Sequence, residues 1–217
     1  MPYLKDIMMP YNKDRMSKVN NDLTWSWLGG FFQAEGCISG RTLVLPQKDR
    51  RPLDLIRDFL ISEFPSTSIP EVRSYASPLN SFKPGSIQHR LSIRTATPRI
   101  LARLIPYLHR EKRLTLPTKI LTLLKQQPID DEWIAGFWEG DGSIWSANTL
   151  QFYQKDRYLL EEIRNCLGHG NIKPRPNYPD NYLLSISISL SNVRRIGELL
   201  SHVKSAPRLE QLEKIET

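Results

Sequence analysis

The chain has 217 residues, 40% of them hydrophobic and 24% charged, with a formal net charge of +7 and a sequence pI near 9.5. That length suits one large domain or two small ones and is ample for a buried core, while the basic balance points to nucleic acid or another anionic surface. No apolar run reaches the roughly 18 residues of a membrane span, residues 1–20 show no signal-peptide pattern, and Cys37 and Cys166, in dissimilar contexts and without a CxxC, argue for a reducing compartment and against structural zinc.

In chain order, residues 1–21 are polar, carry Pro2 and Pro10, and read as a tail. A helix is expected at about Thr24–Glu35, with Thr24 near its cap. Its Trp25, Trp27, Phe31 and Phe32 read as core. A short strand, Cys37–Ser39, leads through Gly40 to a second strand in which Leu43 and Leu45 alternate with Thr42 and Val44. Leu53, Ile56, Phe59, Leu60 and Phe64 have helical spacing over Pro52–Phe64. Two strands follow, at about Glu71–Tyr75 and Ile87–Thr95, separated by a Pro- and Gly-bearing loop at 77–85. The second strand puts Ile87, His89, Leu91 and Ile93 on one face and Ser86, Gln88, Arg90, Ser92 and Arg94 on the other. The polar face suits phosphates and base edges; the pattern also fits an ordinary half-exposed strand. A helix at about Pro98–Leu108, the cluster His109-Arg110-Glu111-Lys112-Arg113, and a helical linker at Leu114–Gln127 complete the first half.

The second half repeats the order in shorter form. It has a helix capped near Asp130, a strand pair in which Leu150 and Phe152 match Leu43 and Leu45, and a helix at Tyr158–Leu167. Gly170–Tyr178 reads as an edge strand with Lys173, Arg175 and Asn177 on alternate positions between prolines. A strand alternates Leu184, Ile186, Ile188 and Leu190 with Leu183, Ser185, Ser187 and Ser189; a helix at about Asn192–His202 and a last helix from Pro207 follow.

The two halves are bound together by one stretch that occurs twice. Leu28-Gly29-Gly30-Phe31-Phe32-Gln33-Ala34-Glu35-Gly36 is answered by Ile134-Ala135-Gly136-Phe137-Trp138-Glu139-Gly140-Asp141-Gly142, with the acids 106 positions apart (141 − 35). The register continues: Gln47-Lys48-Asp49-Arg50 is answered by Gln154-Lys155-Asp156-Arg157. A repeat of this length is a duplicated unit. Acid-Gly at the end of an apolar run suits a helix with a glycine stop. Gly30 with Ala34, and Gly136 with Gly140, put small residues four apart on one face, so two such helices can approach closely. Packed together, they place Glu35 and Asp141 near one another at helix C-termini, where the dipole and the mutual repulsion are both unfavourable. A divalent cation relieves both problems, and hard oxygen ligands favour Mg²⁺ or Ca²⁺ over zinc.

Both stretches resemble the LAGLIDADG motif of homing endonucleases, in the single-chain form with two motifs, over about Leu23 to Leu212. The resemblance implies an α+β fold of duplicated α-β-β-α-β-β-α halves with pseudo-twofold symmetry, whose two antiparallel sheets form a saddle on DNA. The halves fall at 22–113 and 129–217, joined by a linker at 114–128. It implies that Glu35 and Asp141 hold the metals, helped by carbonyls near Ala34 and Gly140. Mg²⁺ is the expected ion, with Mn²⁺ as its substitute and Ca²⁺ as one that binds without supporting cleavage. Gln47 and Gln154 match a family position that orders water in the site. Lys112 and Lys204 are the expected basic residues, with Arg110 and Arg113 as competitors and a solvated surface charge as the alternative for each lysine. Glu35 departs from the consensus aspartate, and Gln33 and Glu139 occupy a more variable position, less expected to be catalytic. The residues placed against DNA are Arg41, Thr42, Arg73, Ser86, Gln88, Arg90, Arg94, Gln151, Tyr153, Lys173, Arg175 and Asn177.

The implied activity is a metal-dependent, staggered double-strand cut in a long target, promoting intron or intein mobility, by a monomer with no membrane partner. The rival on the same scaffold is an RNA maturase that binds intron RNA to assist splicing. A DNA-binding protein with degenerate catalysis would more comfortably have lost an acid, and neither acid is lost. The reading places the chain inside a cell, in a bacterial cytoplasm or an organelle.

Overall fold

In a computed structural model of the chain, the described residues are 23–39, 42–76, 86–94, 98–109, 112, 125–145, 148–189 and 191–205. The expected tail, the loop at 77–85, the linker through 124 and the helix from Pro207 lie outside them, as do Arg41, Arg110 and Arg113.

The first motif forms α1 (Trp25–Glu35) and the second forms α4 (Asp131–Asp141). Each starts where a short oxygen-bearing side chain in extended backbone takes an otherwise orphaned N–H. Thr24 Oγ1 accepts from Trp27 N at 3.2 Å, and Asp130 Oδ1 accepts from Trp133 N at 2.8 Å. The caps also cross between helices: Ser26 Oγ donates to Asp130 at 2.6 Å, and Thr24 Oγ1 donates to Glu132. No Cβ fits at Gly30 or Gly136, because each rests on a carbonyl of the other helix, Trp133 over Gly30 and Trp27 over Gly136. The two motif helices therefore touch backbone to backbone, and their bulk is carried on the outward flanks. There Trp27 stacks on Phe31 at 5.0 Å and Trp133 stacks on Phe137 at 5.4 Å, the same pairing in both copies.

Behind α1 come β1 (Cys37–Ser39), β2 (Thr42–Gln47), α2 (Arg51–Glu63), β3 (Arg73–Ala76), β4 (Ile87–Arg94) and α3 (Pro98–Leu104). Behind α4 come β5 (Gly142–Trp145), β6 (Thr149–Gln154), α5 (Arg157–Leu167), β7 (Asn171–Pro174), β8 (Tyr182–Ser187) and α6 (Val193–Leu200). Each half is thus α-β-β-α-β-β-α. The strands make two four-stranded antiparallel sheets, ordered β1-β2-β4-β3 and β5-β6-β8-β7. Leu43, Leu45, Leu91 and Ile93 turn one face of the first sheet onto α1 and α2; Leu150, Phe152, Leu184 and Ile186 do the same in the second half. Burying side chains of this size contributes about 1.5–3 kcal/mol each. The cores meet through the motif helices: Ala135 of α4 belongs to the first core, and Ala34 of α1 packs on the second. Among the described residues, the opposite face of the first sheet carries half-buried and exposed positions such as Thr42, Gln88 and Arg90, whereas on the second sheet Thr149 and Gln151 of that face are buried.

The repeated Gln-Lys-Asp-Arg element is a strand-to-helix turn. Asp49 Oδ1 accepts from Arg51 N at 3.1 Å and Asp156 Oδ1 from Tyr158 N at 3.0 Å; Asp156 is the N-cap of its helix, whereas in the first half the cap is Arg50 and Asp49 stands one residue before it.

Gly36 and Gly142 end the motif helices as expected, in extended backbone (φ −71° and −91°). They are glycine for space: a Cβ would lie 2.4 Å from the Phe32 ring at Gly36 and 2.1 Å from the Trp138 ring at Gly142. Several other expectations are corrected. The helix expected to reach Leu108 stops at Leu104 and tightens into a 3-10 turn over Ile105–Tyr107, because Pro106 has no N–H to continue it. Residues 125–127, expected as the end of a helical linker, are not helical. The strand expected at Glu71–Tyr75 starts two residues later and ends one later, at Arg73–Ala76. The strand expected to reach Tyr178 ends at Pro174; beyond it Arg175 N bonds Asn181 O at 2.8 Å and Asn177 sits at φ 65° in a turn. Asn177 therefore does not continue the alternation of Lys173. Ile87, expected on the core face, is 62% exposed, because it pairs with Ala76 at the outer end of the sheet, past the reach of α1 and α2.

Candidate active site and nucleic-acid interface

The C-terminal ends of α1 and α4 lie side by side. A Cβ on Gly140 would fall 2.5 Å from Ala34 Cβ and 2.9 Å from Glu35 Cγ, so the Glu35 side chain lies against the residue that precedes Asp141. Both acids are half-buried. Beside Asp141 opens a cavity of about 500 Å³, lined by Gln33, Ala34, Lys112, Gly140, Asp141, Gly142, Tyr153, Gln154, Lys155, Arg175 and Asn181; Glu35 is not among its lining residues. The cavity gathers expected site residues from both halves: Ala34 and Lys112 from one, Gly140, Asp141, Gln154, Tyr153 and Arg175 from the other.

Lys112 reaches the end of α1. Its ammonium donates to the carbonyl of Phe32 at 3.1 Å and to that of Gly36, and lies 5.5 Å from the Phe32 ring centre. The Phe32 carbonyl also accepts from Gly36 N at 2.9 Å, the Gly36 carbonyl lies just past the helix end, and a cation at both offsets the negative end of the dipole. Lys204 is placed differently. It is buried, it is not among the residues lining the cavity, and its backbone N–H is bonded to Glu139 at 2.7 Å. The glutamines repeat each other: Gln47 Oε1 accepts from Lys48 N at 2.7 Å, and Gln154 Oε1 accepts from Lys155 N at 2.8 Å. Gln154 lines the cavity, and Gln47 is not among its lining residues.

Two residues that the sequence reading set aside are structural ties. Gln33 and Glu139, each 2% exposed, point from the motif helices at the segments that close their halves. Gln33 Oε1 accepts from His109 N at 3.0 Å; Glu139 accepts from Lys204 N and Ser205 N. The available signal was polarity at matching positions inside a buried apolar helix, 106 apart (139 − 33), the same offset as the acids.

The donors at the helix ends are carboxylates and carbonyls, all hard oxygens, and this set fits Mg²⁺ or Ca²⁺. Among the described residues no cluster of three or more His, Cys, Asp or Glu forms a self-sufficient metal site. The carboxylates of Glu35 and Asp141 would hold such an ion, which would supply Lewis-acid chemistry at a phosphate.

The sheet faces turned away from the cores differ in chemistry, and Gln151, expected against DNA, is buried at 8% exposure. On the first, Thr42, Arg73, Gln88, Arg90 and Arg94 share one side, with Thr42 opposite Arg94 and Arg73 opposite Arg90. Ser86 precedes this strand, half-buried. Arg90 lies 5.4 Å from the ring centre of Tyr75. On the second, Ser143, Gln151 and Tyr153 form a hydrogen-bonded group, with Ser143 Oγ 3.1 Å from the Tyr153 hydroxyl and Gln151 Oε1 accepting from both. Ser185, opposite Gln151, and an exposed Trp145 extend this neutral face. Lys173 stands on its edge strand. Arg175, in the turn beyond, is held between the rings of Tyr153 and Tyr178 at 4.5 and 4.0 Å. Away from the site, the Cys166 thiol is pushed up by burial and then by neighbouring acids, Glu162 first.

Two motif helices packed through glycine, carrying paired acids at one end and flanked by two antiparallel sheets, define a two-motif α+β class. No family model matches the chain, and no curated protein matches it. Solved structures do. The LAGLIDADG homing endonuclease I-LtrWI bound to target DNA is similar over 88% of this chain and 87% of its own, at 16% identity and a TM-score of 0.58. The LAGLIDADG homing endonuclease I-GzeII in complex with its DNA target is similar over 90% of each chain, at 13% identity and a TM-score of 0.56. The LAGLIDADG meganuclease I-AabMI bound to uncleaved DNA is similar over 89% of each, at 14% identity and a TM-score of 0.56. This chain has the fold of the single-chain, two-motif LAGLIDADG homing endonucleases.

Proposed function

We propose that the chain is a site-specific DNA endonuclease that makes a metal-dependent, staggered double-strand cut in a long duplex target, promoting the mobility of the intron or intein that encodes it. The observation that carries this reading is that α1 and α4 abut at their acid-bearing ends, with the Glu35 side chain against Gly140 and Asp141 lining a cavity shared by both halves. A binding module has no need to hold two carboxylates at the negative ends of two helices, where repulsion and dipole both oppose them.

The carboxylates of Glu35 and Asp141, with the carbonyls near Ala34 and Gly140, would hold Mg²⁺, with Mn²⁺ as a substitute and Ca²⁺ binding without turnover. The ion supplies an activated water and charge neutralisation at the phosphate. Gln47 and Gln154, each fixed at a strand end, orient solvent near the acids. Lys112 offsets negative charge at the end of α1 and polarises water beside it; Lys204 is assigned the matching place in the second half. One acid serves each strand, so one chain suffices, and the protein acts as a monomer. Halves at 22–113 and 129–217, joined through 114–128, fit this division of labour.

The sheet faces turned away from the cores would lie in the major groove on either side of the cut. Arg73, Arg90 and Arg94 bring affinity through counterion release and hydrogen-bond pairs suited to guanine, with Ser86 and Gln88 beside them. Gln151, Tyr153, Lys173, Arg175 and Asn177 act on the other half site, and Thr42 and Arg41 flank the first. The test is incubation of the chain with a random duplex library and Mg²⁺, followed by sequencing of new ends. Staggered ends at one long recurrent site support the reading. Absence of cutting in Mg²⁺ and Mn²⁺, with retention of intron RNA, would overturn it in favour of splicing assistance.

A further inference from the structure

We infer that Gln33 and Glu139 are positioning residues, each setting the geometry of one half site by tying the closing segment of its half to the motif helix two residues before the acid. This rests on the endonuclease reading. The two ties occupy matching positions in the repeat, both are buried, and both act through side-chain oxygens on backbone N–H groups. In the first half the tie falls at His109. Three residues on, Lys112 makes a second attachment to the same helix, at Phe32 and Gly36. Two attachments on either side of Glu35 leave the lysine little freedom to move along the helix end. In the second half the carboxylate of Glu139 takes two consecutive N–H groups, Lys204 and Ser205. The Glu139 side chain therefore holds two backbone N–H groups of its closing segment where the Gln33 side chain holds one.

The ties differ in charge as well as in number. Gln33 is neutral, lines the cavity and stands two residues from Glu35; Glu139 is acidic and is not among the cavity's lining residues. An amide at the cavity wall adds no further repulsion to the acids, whereas a carboxylate facing backbone donors is satisfied where it lies. The two half sites are thus positioned independently, and disturbing one tie misplaces one strand's chemistry.

The test is the order of strand cutting on the end-labelled target. Gln33→Leu removes the acceptor while keeping bulk. It is expected to slow the cutting of one strand by about tenfold or more, so that nicked DNA accumulates, with DNA affinity in Ca²⁺ unchanged within about twofold. Gln33→Glu, which keeps an oxygen in place but adds a carboxylate at the cavity wall, is expected to recover only part of the lost rate. Glu139→Leu is expected to nick with the opposite strand preference. Should that variant fail to bind DNA through misfolding, Glu139→Gln, which keeps one of the two acceptors, is expected to show the same bias at a few-fold smaller effect. Variants that cut both strands in the wild-type ratio, whatever their thermal stability, overturn the inference. A wild-type chain that cuts nothing overturns the endonuclease reading instead.

Discussion

Gly30 lies directly beneath the carbonyl of Trp133: a Cβ on the glycine would sit 1.8 Å from that oxygen. Gly136 repeats the relation with Trp27, at 2.1 Å. The atoms in the way are backbone, so they cannot rotate aside. That contact sets how closely the ends of α1 and α4, and so the two acids, can approach.

Gly30→Ala and Gly136→Ala are therefore expected to destabilise the fold by about 1–3 kcal/mol or more, as overpacking does. They should also slow cutting beyond what stability explains. Denaturant titration gives the first quantity. The second is the cutting rate measured well below the unfolding transition, where a purely destabilising change would leave it unaltered.

The other end of the same helix pair predicts coupling. Ser26 donates to Asp130, which caps α4, and Thr24, which caps α1, donates to Glu132. Ser26→Ala and Asp130→Ala each cost about 0.5–2 kcal/mol through loss of a cap or its support. The double variant should cost less than the sum by about 0.5 kcal/mol or more. A double-mutant cycle in urea checks this; simple additivity would separate the two caps.

The sheet faces predict different salt behaviour. Arg90→Ala and Arg94→Ala should each reduce the slope of log affinity against log salt by about one phosphate's worth and weaken binding to a recurrent target. Gln151→Ala should leave the slope unchanged and relax base preference at one position, since it removes hydrogen-bond readout and no charge. Binding isotherms at three salt concentrations in Ca²⁺ distinguish the two.

The acids predict a stability effect of unusual sign. Glu35 and Asp141 end α1 and α4, at the negative ends of the helix dipoles. Without a divalent cation, Glu35→Gln and Asp141→Asn should each raise stability by about 0.3–1 kcal/mol. Adding Mg²⁺ should stabilise the wild type and not the double variant, because a ligand bound only to the folded state stabilises it. Thermal melts with and without the ion report both.

Most of this architecture was legible because duplication writes each signal twice. The acids, the small residues at Gly30, Ala34, Gly136 and Gly140, and the Gln-Lys turn all stand in register across the halves. What was not legible depends on contacts between segments far apart in sequence. Gly36 looks like an ordinary helix stop, and only the folded chain shows the Phe32 ring occupying the space of its Cβ. Gln33 and Glu139 differ in type, which hides their common task until His109, Lys204 and Ser205 are brought to them. The edge of the second sheet was misjudged because Pro174 and Pro176 fit an extended run and a turn equally well, and Asn177 tolerates the left-handed backbone that the turn demands.

The central claim is that Glu35 and Asp141 together cut duplex DNA. The most direct measurement sets the wild type beside Glu35→Gln and Asp141→Asn on one recurrent target in Mg²⁺, with binding measured in parallel in Ca²⁺. The account predicts that the wild type makes a staggered double-strand break and that both variants bind with undiminished affinity and fail to make it. A variant that still cuts both strands at the wild-type rate would contradict the account.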